Sequence, residues 1–200
     1  MFTQEEFNSL TSKYGKYGSW AIWDEKNERD TNIILDNYSL LNSKYVGVGL
    51  NISKSHEDNW GNFRGGKHDR KLKYAFNVSS LRGFYLTDLF KGLKEPKSNL
   101  IYKSVLSNKI NLDYHINFFI DEMNDIKVNN ETTFIIFGVV KSNLARIFCT
   151  YFKNLYKKNN IINCYHYSYY QISDKEWVTD VWNKLDQNLN YEIELKKYKL

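Results

Sequence analysis

Three short stretches deliver polar side chains after apolar runs: Asn51 and Ser53 after Tyr45-Val-Gly-Val-Gly-Leu50, Thr87 and Asp88 within Gly83-Phe-Tyr-Leu-Thr-Asp-Leu-Phe90, and His166 and Ser168 after Ile161-Ile-Asn-Cys164. An amide, a carboxylate, an imidazole and hydroxyls form a donor and acceptor set suited to orienting water and binding a polar ligand. If the three runs are parallel neighbouring strands, these groups converge at the carboxyl end of one sheet, where open α/β sheets keep their ligands. Gly47-Val-Gly49 is followed by Ile52 where a dinucleotide fingerprint needs a third glycine, and the chain has no Gly-Lys-Ser/Thr phosphate loop and no Gly-x-Ser-x-Gly elbow. Cys164 and His166 share one face of a strand but lack further ligands at metal spacing, so no metal and no cofactor is expected.

The elements that must position these groups follow from pattern. Thr3-Gln-Glu-Glu6 has the form of a capping box, and Phe7, Leu10 and Tyr14 continue it at helical spacing to Gly15 and Gly18. Trp20-Ala-Ile-Trp23 reads as a short strand or extended lead-in, and Ile33 to Leu41 is ambiguous between helix and strand. Lys54 to Asp69 is a long polar loop carrying Trp60 and Phe63, and a loop of that length is usually functional or mobile. His68 to Phe76 carries the basic cluster Arg70, Lys71 and Lys73, read as a solvated helix face able to meet phosphate.

Leu112 to Ile126 is an amphipathic helix through Ile116, Phe119, Ile120 and Met123. Thr132 to Gly138 is a strand, and Lys141 to Tyr156 a helix. Ile161 to Ser168 is the fourth strand, and the capping box Ser173-Asp-Lys-Glu176 opens a last helix with Trp177, Val181, Trp182, Leu185 and Leu189 inward. The expected fold is α/β, a three-layer sandwich around a central, mainly parallel four-stranded sheet, with residues 1–200 forming one domain.

Composition agrees with a folded chain: 42% of residues are hydrophobic, with sixteen Tyr, twelve Phe and five Trp. No apolar run is long enough to span a bilayer and the N-terminus lacks the features of a signal peptide, so a cytoplasmic protein without a membrane partner is expected. Lys and Arg number 28 against 23 Asp and Glu, a net charge of +5 that permits an anionic partner without demanding one.

In order and spacing these stretches resemble the uracil-DNA glycosylase superfamily, over roughly residues 45–189. Gly49-Leu-Asn-Ile52 is similar to that family's Gly-x-Asn-Pro or Gly-x-Asp-Pro motif, with Ile52 replacing the proline. Phe63 in Asn62-Phe-Arg64 corresponds to the aromatic residue that stacks on the extruded base, Tyr85 to Lys91 to the base-reading strand, and His166-Tyr-Ser168 in part to a late His-Pro-Ser motif.

The resemblance implies a DNA glycosylase that hydrolyses the N-glycosidic bond of an extruded non-standard base, with DNA as partner. Asn51 would orient the water, His166 would stabilise the departing base, and Phe63, Ser53, Thr87 and Ser168 would bind substrate. Tyr169 and Tyr170 would press into the duplex, with Arg64, Arg70 and Lys71 on the phosphates. Asp88 departs from the pattern, because a carboxylate offers only acceptors to a uracil edge. It reads a base edge with two donors, or is protonated, or activates the water. An inactive member serving as a nucleic-acid or base-binding module is the alternative, and an enzyme of free nucleosides a third possibility.

Overall fold

The computed structural model describes residues 2–52, 56–78, 80–138, 152–185 and 196. The helices among the described residues include α1 (Gln4–Tyr14), α2 (Asn32–Asp36), α3 (Arg70–Phe76), α4 (Ser98–Leu106), α5 (Leu112–Asp125) and α6 (Asp174–Lys184). A further helical stretch covers residues 152–155. The strands are β1 (Ser19–Trp20), β2 (Asn42–Asn51), β3 (Phe84–Phe90), β4 (Thr133–Phe137) and β5 (Asn160–Cys164). They form one sheet in the order β1-β3-β2-β4-β5, so it has five strands and not four. The four longer strands are mutually parallel, and the two-residue β1 pairs antiparallel with the outer edge of β3.

The chain leaves β2 toward β3 on one side and returns to β4 on the other. That reversal puts the connecting helices on opposite faces. Phe7, Leu10, Ile116, Phe119 and Met123 of α1 and α5 bury with Val46, Val48, Tyr85 and Phe134 on one face. Leu72, Phe76, Trp177 and Trp182 of α3 and α6 bury with Tyr45, Phe84, Leu86, Ile135 and Phe137 on the other. Alternate residues of β3 therefore enter different cores, as the two-residue period of a strand requires.

Both capping boxes form: Thr3 with Glu6 starts α1, and Ser173 with Glu176 starts α6. Ile33 to Leu41 resolves into α2 and a 3-10 turn at Tyr38–Leu40, while the short lead-in at Trp20 is β1. Most of the helix read at Lys141 to Tyr156, together with Ser53, Cys149 and Leu189, lies outside the described residues. No helix among the described residues is long and apolar enough to cross a membrane.

Candidate functional site

The carboxyl ends of β2 and β3, with the loop after β2, enclose a cavity of about 200 Å³ lined by Lys16, Tyr17, Ile52, His56, Asp88, Phe90, Lys91, Gly92 and Lys94. Asp88 is its chemical centre. Gly49 lies opposite Asp88 in the β2–β3 register, and a Cβ on Gly49 would collide with Asp88 Oδ1. The glycine is thus required by the carboxyl group beside it. Asp88 is 4% exposed, and burial raises its pKa from 3.8 to about 6; the Asn62 hydrogen bond and the Lys91 charge pull it down by less.

Asn62 organises the loop side of the cavity. Its Nδ2 donates to Asp88 Oδ2 at 2.8 Å and to the Tyr17 carbonyl at 2.8 Å, while its Oδ1 accepts from the Phe63 amide at 3.0 Å. Phe63 is held at φ +62°, an uncommon conformation for a bulky residue, and is 4% exposed. Its ring edge lies 3.5 Å from where a Gly49 Cβ would be, and it packs edge-on against Tyr167 at 6.1 Å.

Behind Asp88, on the other face of the sheet, lies a buried charged network. Glu122 of α5 is fully buried and accepts from Tyr85 Oη at 2.8 Å, Thr87 Oγ1 at 3.0 Å and Lys91 Nζ at 2.5 Å. Lys91 also donates to Thr87 Oγ1. This ion pair compensates a charge that Lys91 would otherwise bring uncompensated to the cavity wall.

His166 stands past the end of β5, over Gly138 at the end of β4, with its Cδ2 3.6 Å from where a Gly138 Cβ would be. Its Nδ1 accepts from the Ser168 amide at 3.2 Å and lies 2.7 Å from Ser168 Oγ, which leaves the proton on Nε2. Burial, with a smaller effect of His68, pushes its pKa down to about 4, so the ring is neutral at pH 7. His166 stacks on Tyr167 at 4.3 Å, and Tyr167 reaches Phe63. A chain of ring contacts therefore joins His166 to the Asp88 neighbourhood, but neither His166 nor Asn51 lines the cavity.

Asn51 has a different task from the one expected of it. Its Nδ2 donates to the carbonyls of Ile52 at 3.0 Å, Leu93 at 3.0 Å and Glu95 at 2.7 Å, tying the end of β2 to the segment after β3. Thr87 as a substrate-binding residue is corrected: it is fully buried on the face opposite Asp88 and belongs to the Glu122 network.

Arg64 and Lys71 as DNA-binding residues are corrected as well. Arg64 is 9% exposed, donates to the carbonyls of Trp20, Ile22 and Asp30, and has its pKa lowered to about 10 by burial. Lys71 is 2% exposed and its ammonium bonds the carbonyls of Tyr169 at 3.3 Å and Ile172 at 3.0 Å. Lys73 is likewise buried, on the carbonyls of Asp24 and Glu25, so the basic side of α3 is internal and not solvated. Arg70 stays exposed but bonds Asp174 at 2.7 Å. Tyr169 stacks on Tyr165 at 5.3 Å, whereas Tyr170 is 81% exposed. The residues that sequence reasoning missed are Asn62, His56, Lys16, Tyr17 and Lys94. Only Asn62, beside the chosen Phe63, carried a local hint.

Among the described residues no group of three or more His, Cys, Asp or Glu could hold a metal ion. Comparison of the chain with protein-family models, curated proteins and solved structures returned no match.

Proposed function

We propose that the protein is a cofactor-independent hydrolase of the uracil-DNA glycosylase type, a three-layer α/β sandwich that cleaves the N-glycosidic bond of an extruded non-standard base in DNA. The observation that carries this reading is Asp88: a desolvated carboxyl with a pKa of about 6, on the wall of a cavity at the carboxyl ends of parallel strands. In this reading Asp88, and not Asn51, takes the proton from the attacking water, since Asp88 lines the cavity and Asn51 does not. Asn62 holds the carboxyl in place, and the rings on which a base could pack within the cavity itself are those of Tyr17 and Phe90, Phe63 being buried against Tyr167 outside the lining. His166, neutral with its proton on Nε2, supplies a donor for the departing base once the base bridges the Tyr167 ring.

The test is base release from oligonucleotides carrying uracil, hypoxanthine, xanthine or modified cytosine, scored as alkali-labile breaks. Asp88→Asn is expected to abolish release while leaving binding in place. Absence of release from every substrate by the folded wild-type protein would overturn the reading.

A second reading, a base-binding module without turnover, is favoured by the burial of Phe63 and by the distance of Asn51 and His166 from the cavity lining. Binding of the same oligonucleotides that falls steeply with salt, without base release, would establish it.

A further inference from the structure

The mouth of the Asp88 cavity has a chemistry of its own. Three of its nine lining residues are lysines, and they differ in what already holds them. Lys91 is neutralised by Glu122. Lys16 gives one N–H to the Glu57 carbonyl, and an ammonium carries three donors. Lys94 is exposed at the rim. Two lysines that no carboxylate among the described residues neutralises thus line the cavity together with Asp88.

His56 adds a second requirement. Its Nδ1 lies 2.8 Å from the Asp58 carbonyl, which can only accept, so Nδ1 carries the proton. In the neutral ring Nε2 is then a lone pair; it is buried and has no hydrogen-bond partner among the described residues. An unmet buried acceptor is costly, and a ligand hydroxyl would satisfy it. Tyr17, Ile52, Phe90 and Gly92 complete the wall with largely apolar surface. At about 200 Å³ the cavity has the volume of roughly seven waters at about 30 Å³ each, enough for one small ring and its substituent.

We propose that this cavity is a sugar-phosphate subsite: Lys16 and Lys94 take the phosphate, His56 Nε2 accepts from a sugar hydroxyl, and the apolar wall covers the ring. The proposal rests on the glycosidic-bond reading of Asp88 and deepens it, because it puts the sugar of the reacting nucleotide next to the water-activating carboxyl. A free nucleoside monophosphate offers the phosphate, the ring and the hydroxyl, whereas a nucleotide within a DNA strand offers the phosphate and the ring without a free sugar hydroxyl.

The experiment is calorimetric titration of the full chain at fixed ionic strength with ribose 5-phosphate, ribose and inorganic phosphate. Ribose 5-phosphate is expected to bind at least about tenfold tighter than either fragment, the effect of joining a charge-assisted contact to a satisfied acceptor. Lys16→Ala and Lys94→Ala are each expected to weaken it roughly three- to tenfold. His56→Phe is expected to weaken ribose 5-phosphate but not inorganic phosphate. Lys109→Ala, an exposed lysine away from the cavity, leaves all three unchanged. Equal affinity for ribose and ribose 5-phosphate, or an equal loss in Lys109→Ala and Lys94→Ala, overturns the subsite.

Titration with a nucleoside 5′-monophosphate and with an oligonucleotide containing the same residue separates the two sources by which binds tighter and loses more in Lys94→Ala. Sugar-phosphate binding without base release from either source retains the subsite and removes the hydrolase. Base release unaffected by Lys16→Ala and Lys94→Ala does the reverse.

Discussion

Replacing Asp88 by Asn tests the physical account of the cavity independently of any substrate. The native carboxyl has its pKa raised from 3.8 to about 6, chiefly because burial disfavours the anion. The folded protein therefore holds this proton more strongly than the unfolded chain does. The stability that the group contributes is fully present below pH 3.8 and is lost as pH rises through about 6. At about 1.4 kcal/mol for each pH unit between the two pKa values, the loss is about 3 kcal/mol, and with Asp88 4% exposed there is little solvent screening to reduce it.

The side-chain amide of the Asp88→Asn variant carries no charge at any pH and keeps an oxygen for the Asn62 amide. The variant should therefore gain on wild type by about 3 kcal/mol between about pH 3.5 and about pH 7.5, a sizeable share of a total stability of roughly 5–15 kcal/mol. The assay is urea unfolding at a series of pH values, followed by the fluorescence of Trp20, Trp23, Trp60, Trp177 and Trp182, all of them buried. Other titrating groups act on both proteins and cancel in the difference. A wild-type-minus-variant difference that stays flat across this range refutes the buried-carboxylate argument. Under the proposed function, kcat/KM of the wild type rises through about pH 6, so activity appears over the same range in which the protein loses stability.

Glu122→Gln removes the negative member of a buried ion pair and is expected to cost about 3–5 kcal/mol, read as a lowered urea midpoint. In the surviving folded protein the uncompensated Lys91 charge should move the Asp88 titration, and the acid limb of any activity profile, to lower pH. Gly49→Ala drives a methyl into Asp88 Oδ1, so stability should fall by about 1–3 kcal/mol and base release should fall with it. A normal urea midpoint with unchanged activity would count against the close approach. Arg64→Ala strips donors from three backbone carbonyls and should destabilise the fold by about 2–4 kcal/mol without altering the salt dependence of DNA binding.

What could be read from the sequence was local. The two capping boxes and the apolar spacing of α1, α5 and α6 act within a turn or two of helix, and all reappear in place. The parallel strands were legible through their apolar runs, but the two-residue β1, whose pairing depends on the distant Tyr85 and Leu86 of β3, gave almost no pattern of its own. The period of a strand already forbade Thr87 and Asp88 from serving one site, and only Asp88 faces the cavity.

The basic residues failed for another reason. Lys71, Lys73 and Arg64 have long stems that bury well and heads that backbone carbonyls satisfy, and those carbonyls come from residues between 34 and 101 positions away. Nothing in a local pattern separates such a residue from a solvated one. His56 was missed similarly, since its importance lies in one nitrogen left without a partner by the packing around it.

The three carbonyls gathered by Asn51 also bear on the route by which a ligand gets in. They rivet the end of β2 to the segment after β3, and swinging residues 93–95 aside would break two of those bonds together. That side of the doorway is a fixed jamb. Opening the cavity on the side of Lys16 and His56 breaks neither of those bonds, so exchange rates should respond to substitutions there before they respond to any made at Asn51.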